Sequence, residues 1–239
     1  MTNSKIFRKT NIIIGVVLLI LWALFANRYY GPTDPLTSEE MDQYMEKIQQ
    51  MFIRNGVPDG NGKGTTAEEF AATLSAFRQF GDSDDGKPIY MINMMKWRDQ
   101  AIFNETNKEH RGMTVEDADH AYTSQLKPIL TKNWSHIAYL SKTIPNAVNI
   151  GFYDGDVDNW GEVGIFRYSS RRDFMNMMAS EKYQAMMHFK LASMGWIAIV
   201  PSQPHDLMFN PMPNTPVLLG FVFIIGYLIV LLLSTRRKK

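Results

Sequence analysis

The chain has 239 residues, with 25 Lys and Arg against 24 Asp and Glu, a formal net charge of +1 and no cysteine. That length allows one ordinary domain or two small ones, and a hydrophobic content of 45% excludes wholesale disorder. Without cysteine there is no disulfide framework, thiolate zinc site, iron–sulfur cluster or cysteine nucleophile. Charge is segregated: residues 29–235 hold all 24 acids but only 17 bases, a net of −7. The other bases are Lys5, Arg8, Lys9 and Arg28, then Arg236, Arg237, Lys238 and Lys239. An acidic middle argues against nucleic acid as a partner.

Ile12–Ala26 is an uncharged run of 15 residues and Val217–Leu233 one of 17. As helices they span about 22 and 26 Å, slightly short of a ~30 Å hydrocarbon core, and flanking residues supply the rest. A buried core helix is the bland alternative, but such a helix rarely lacks a polar face. The first run also has the basic start of a cleaved signal peptide. Leu24-Phe25-Ala26 puts leucine where the cleavage pattern wants a small residue, which favours an uncleaved signal anchor. Both basic clusters then predict cytoplasmic termini, with residues 31–215 outside the cytoplasm, in the periplasm if the cell has one.

After the stiff Gly31–Pro35 exit, Thr37-x-x-Glu40 is a capping box opening a helix over about 38–54. Met41, Tyr44, Met45, Ile48, Met51 and Phe52 form its apolar face. Gly56–Gly64 is a glycine-rich loop, and Thr66-x-x-Glu69 opens a second helix to about Phe80. Gly81–Gly86 is a turn and a domain boundary. From Pro88 the period becomes two, and Ile89–Trp97 is a predicted strand. A polar loop over 98–114 and a helix over 116–131 follow, with Pro128 in the last turn. Strands are predicted at 135–142 and 162–168, with a short one at 150–153. Ser170-x-x-Asp173 caps a helix to Met194 with a break at Ser180, and Trp196–Val200 is the last strand.

The order predicts an α+β fold, a ferredoxin-like β-α-β-β-α-β unit with two helices on one sheet face. An N-terminal helix pair precedes it, and a transmembrane helix stands at each chain end. The expected divisions are 1–30, 31–86, 87–202, a Pro-rich linker at 203–215, and 216–239. The uncovered sheet face predicts a homodimer.

Certain residues carry a resemblance. Pro88–Trp97, ending Asn93-Met94-Met95-Lys96-Trp97, resembles the opening strand of the dimeric α/β-barrel superfamily, nearest the domain-of-unknown-function 1330 family. Trp160-Gly161-Glu162-Val163 through Arg167–Arg171 is similar to that family's third strand and helix cap. Ser180–Ala185 followed by His188 is similar to its Ser-Pro-Glu-Tyr-Gln…His-Arg stretch. The resemblance covers about 87–202 and implies the fold more than any activity. Glu181-Lys182 departs from the usual Pro-Glu. Lys190 lies near the family's Arg.

Candidate chemistry is sparse. Asp59–Gly64 has EF-hand spacing at three positions, but Lys63 and Phe70 stand where oxygen ligands belong, so a plain turn is the simpler reading. Asp154, Asp156 and Asp158 read as a solvated acidic hairpin. The five histidines make no metal pair. His188 is either a hydrogen-bonded helix residue or part of a pocket; in haem-binding branches of the superfamily a helix histidine ligates iron. Sixteen methionines indicate an adaptable apolar interior, without the His/Met convergence of a copper site. Asn93 shares a strand face with Met91 and Met95, so its amide needs a partner in apolar surroundings. Tyr122, Trp160 and Tyr183 are candidates for the same cleft as Asn93 and His188, against ordinary core packing. No cofactor or metal is expected, and no motif commits the chain to an enzymatic reaction. Two readings stay open. One is a membrane-anchored extracytoplasmic domain binding a small apolar or aromatic ligand. The other is a non-catalytic accessory subunit of a membrane complex.

Overall fold

The computed structural model describes residues 2–30, 33–58, 65–132, 134–144, 160–203 and 215–236. The expected calcium-like loop at 59–64, the acidic hairpin at 154–158, the short strand at 150–153 and most of the Pro-rich linker lie outside the described residues. The chain divides into two compact units, residues 32–203 and the paired end segments 1–31 with 204–239.

The end segments contain α1 (Thr2–Tyr30) and α7 (Thr215–Arg236). Both are long and apolar enough to cross a membrane. Their apolar stretches are 0% and 6% buried within the chain. They run antiparallel: the Tyr227 hydroxyl donates to Asn11 O at 3.0 Å, and Trp22 Nε1 donates to Pro216 O at 2.7 Å. Close approach needs small residues. Gly220 lies under the Trp22 indole and Gly15 under the Tyr227 ring, where an added Cβ would come within 2.8 and 3.1 Å.

The second unit is mixed α+β. It holds α2 (Ser38–Arg54), α3 (Ala67–Asp82), β1 (Ile89–Trp97), a 3-10 turn (Glu105–His110), α4 (Val115–Lys132), β2 (His136–Lys142), β3 (Glu162–Tyr168), α5 (Arg171–Met178), α6 (Glu181–Ser193) and β4 (Met194–Ser202). Both sequence-predicted capping boxes form, Thr37 with Glu40 and Thr66 with Glu69. Ser170 caps α5 and Ser180 caps α6, so the expected break falls where a serine side chain accepts from the Tyr183 backbone N–H.

The sheet has the order β2-β3-β1-β4, all neighbours antiparallel. Alternation puts Met91, Asn93 and Met95 on the face the helices cover. Methionine dominates the core there: Met41, Met51, Met91, Met175 and Met186 are each at most 3% exposed. The other face carries Ile92, Met94 and Ile165, and leaves Tyr139, Trp196 and Val200 about half exposed.

The segment 98–114 differs from the polar loop expected. It contains a 3-10 turn, and Phe103 is buried against Ala118 and Ala192. A six-residue turn is too short to leave a helical period in sequence. Also, β4 is longer than the expected 196–200, because its pairing with β1 runs to Ser202.

Polar ties lock α2 and the segment 33–37 that leads into it to the rest. Asp84 Oδ2 accepts from Leu36 N at 3.0 Å and Oδ1 from Gly86 N at 3.0 Å. Arg172 pairs with Glu40 and donates to Pro35 O at 3.1 Å. Arg172, together with the Thr37 N–H, holds the Glu40 carboxyl down to about 2.

Candidate functional site

A cavity of about 780 Å³ lies between the helix-covered sheet face and the helices. Its floor follows from strand register. Asn93 is opposite Gly164 on one side and Ile199 on the other. Glycine there leaves room for Phe166, whose Cε2 would stand 2.7 Å from an added Cβ. The walls are Tyr122 and Leu126 of α4, Met177 and Phe174 of α5, and Tyr183, Met187 and Lys190 of α6. The last three recur at i, i+4 and i+7, one face of one helix. The helix pair completes the wall with Phe52, Phe70 and Phe77, whose rings pack at 6.0–6.2 Å.

The polar groups are few. Asn93 is 7% exposed, and its Nδ2 donates to Met91 O at 3.0 Å. Its Oδ1 accepts no hydrogen bond among the described residues. The Tyr122 and Tyr183 hydroxyls face each other at 3.4 Å, longer than a good O–H···O bond. Burial, reinforced by Tyr183, pushes the Tyr122 hydroxyl well above the ordinary phenol value, so it remains a protonated donor. Lys190 Nζ stands 5.4 Å from the Tyr122 ring centroid, over its face.

Three of the five expected site residues therefore meet: Asn93, Tyr122 and Tyr183. Two do not. Trp160 packs against Trp196, centroids 4.9 Å apart, and Trp196 belongs with Lys96 to the opposite sheet face. His188 is one residue beyond the wall-forming Met187 on a helix, about 100° round the axis. It stacks on His110 at 5.1 Å, beside Phe103. Its Nε2 is buried with no partner among the described residues, next to a small void lined by Asn55, Asn104 and Asn107. Lys190 is the wall residue that sequence reasoning misses as a site member. Its spacing of seven from Tyr183 is the signal that places it on the same helix face.

Burial, then the neighbouring His110, pushes His188 below the ordinary histidine value of 6.5. Below about pH 6.5 the unfolded chain takes up a proton that folded His188 resists, so this stability is present above that pH and lost below it. His136 is depressed too, by burial and then Arg167. Denaturant unfolding of His188→Phe should therefore show a shallower acid-side loss than wild type, with the His136 share remaining. An unchanged slope would remove His188 as the cause.

No family model matches the chain, and no curated protein matches it. Among solved structures, a protein of unknown function from Rhodopseudomonas palustris is 22% identical, with a TM-score of 0.46, covering 59% of this chain and 95% of that one. The methylated form of that protein gives 23% identity and a TM-score of 0.46, covering 59% of this chain and 93% of its own.

Proposed function

We propose that the chain is a membrane-anchored protein whose 32–203 unit binds a small, mostly apolar molecule between sheet and helices. The observation that carries this reading is the cavity floored by Asn93. About 780 Å³ falls within the ~300–1,000 Å³ range of small-molecule sites, and an apolar lining with a few converging polar groups is the usual composition. A packed core would have closed this space, since interiors tolerate few voids larger than water.

The unit reads as a ferredoxin-like domain of the dimeric α/β-barrel type. The strand order β2-β3-β1-β4, with α4 joining β1 to β2 and α5–α6 joining β3 to β4, supports it. The half-exposed Tyr139, Trp196 and Val200 on the uncovered face support pairing with a second copy. The accessory-subunit reading draws less support, because Gly220 is already filled by Trp22 of the same chain.

The experiment is thermal unfolding of full-length protein with and without quinones, phenols, fatty acids and haem. At least one compound should raise the wild-type midpoint. Asn93→Ala should lose only about 1 kcal/mol of ligand-free stability, because its single hydrogen bond is local, and should reduce the ligand-dependent shift by removing a contact on the cavity floor. No shift with any compound, together with strong destabilisation by Asn93→Ala, would reject the site.

The basic ends and the antiparallel α1–α7 pairing support an orientation with both termini in the cytoplasm. Reporter fusions at residues 2 and 239 should both report cytoplasm, and one at 110 the outside. A cytoplasmic signal at 110 would reverse the assignment.

A further inference from the structure

The cavity holds one charge that no carboxylate among the described residues pairs with. Lys190 lines its wall two turns after Tyr183 on α6, half-buried, with its ammonium over the Tyr122 ring. Among the described residues no carboxylate pairs with it. The one acid in the lining, Glu69, is committed to its own helix cap, accepting from Thr66 N at 2.8 Å and Thr66 Oγ1 at 3.0 Å. A lysine on an apolar wall ordinarily extends its ammonium to water or an acid. Here the ammonium stands over an aromatic face, 5.4 Å from the ring centroid, beside two buried phenols.

Those phenols add direction. Their oxygens are 3.4 Å apart, too far for a strong mutual bond and close enough for one acceptor to take a hydrogen bond from each. Two O–H donors and an ammonium stand around the Tyr122 ring in a cavity lined mainly by Met, Phe, Leu and Ile, with Asn93 on its floor and Thr65, Glu69 and Thr73 of the helix pair at its wall. Neutral acceptors satisfy the phenols but leave the ammonium without a counter-charge. A fully hydrated inorganic anion satisfies the ammonium but makes no use of the apolar walls. An acid with an apolar body does both, and hydrogen bonds to an ionised acceptor are about twice as strong as neutral ones.

Resting on the reading of this cavity as a ligand site, we infer that its ligand class is an apolar monocarboxylic acid. The carboxylate sits on Lys190 with the Tyr122 and Tyr183 hydroxyls, and the apolar body lies over Asn93 and the methionines. Asn93 Oδ1, an acceptor, repels a carboxylate and so faces the body rather than the head.

The test uses the full chain in lipid nanodiscs, with empty nanodiscs as the blank. Calorimetric titration compares 2-naphthoate with methyl 2-naphthoate and 2-naphthylmethanol. The acid should bind about tenfold or more tighter than either neutral analogue, a preference lost in Lys190→Met and kept in Lys190→Arg. Thermal midpoints of the variants establish that they are folded. If acid and neutral analogues bind alike, or if Lys190→Met keeps the preference, the carboxylate inference is overturned while the cavity remains a ligand site. If none of the three binds, the inference is overturned; whether the cavity reading also fails is then decided by the broader thermal panel.

Discussion

Gly86→Ala should destabilise the 32–203 unit by about 3 kcal/mol. Two costs add. Gly86 has φ of +70°, a left-handed conformation that alanine adopts only under strain. Its missing Cβ also faces the Thr33 carbonyl oxygen, inside van der Waals contact. That oxygen cannot withdraw, because Thr33 N donates to Gly86 O at 2.9 Å and the neighbouring Leu36 N is held by Asp84. The substitution therefore loosens the turn before β1 and the segment before α2 together. Denaturant unfolding should show a lowered midpoint with an unchanged slope. A change below about 0.5 kcal/mol, the range of ordinary surface substitutions, would mean that this clasp does not hold the N-terminal helix pair to the sheet.

Ile199→Trp should abolish ligand binding, by a factor on the order of 100, while costing less than about 1.5 kcal/mol of stability. Ile199 lies on the cavity side of β4, in register with Asn93, and is 37% exposed. An indole there has free space to enter, so it fills the cavity over Asn93 without displacing packed atoms. Binding and stability thus separate in this variant. Loss of both would mark Ile199 as a packing residue. Retention of ligand-dependent stabilisation would place the ligand elsewhere.

The sequence is most informative where interactions are local. Each capping box joins residues three apart, so Thr37 with Glu40 and Thr66 with Glu69 announce both helix starts. The alternation of β1 likewise suffices to put Asn93 on one face with Met91 and Met95. The two apolar end runs are legible from composition alone. The site is less so, because its members come from distant segments. Phe52, Asn93, Tyr183 and Ile199 meet only through the strand order and the placement of the helix pair. Nothing in the sequence distinguishes Trp160, one residue before Gly161 and its neighbour Trp97, as facing the wrong side of the sheet. His188 and Lys190 are two residues apart on α6, yet about 200° of helical rotation separates stacking on His110 from lining the cavity.

A cavity that serves as a ligand site should carry its small molecule over Asn93 in the working protein. Native mass spectrometry of the full chain, extracted in detergent from the cells that make it, reads this on wild type and Ile199→Trp side by side. A bound small-molecule mass is expected on wild type and not on the variant, whose indole occupies the same space. A wild-type mass equal to the bare polypeptide, or the same added mass on both proteins, would show that the cavity is not the ligand site.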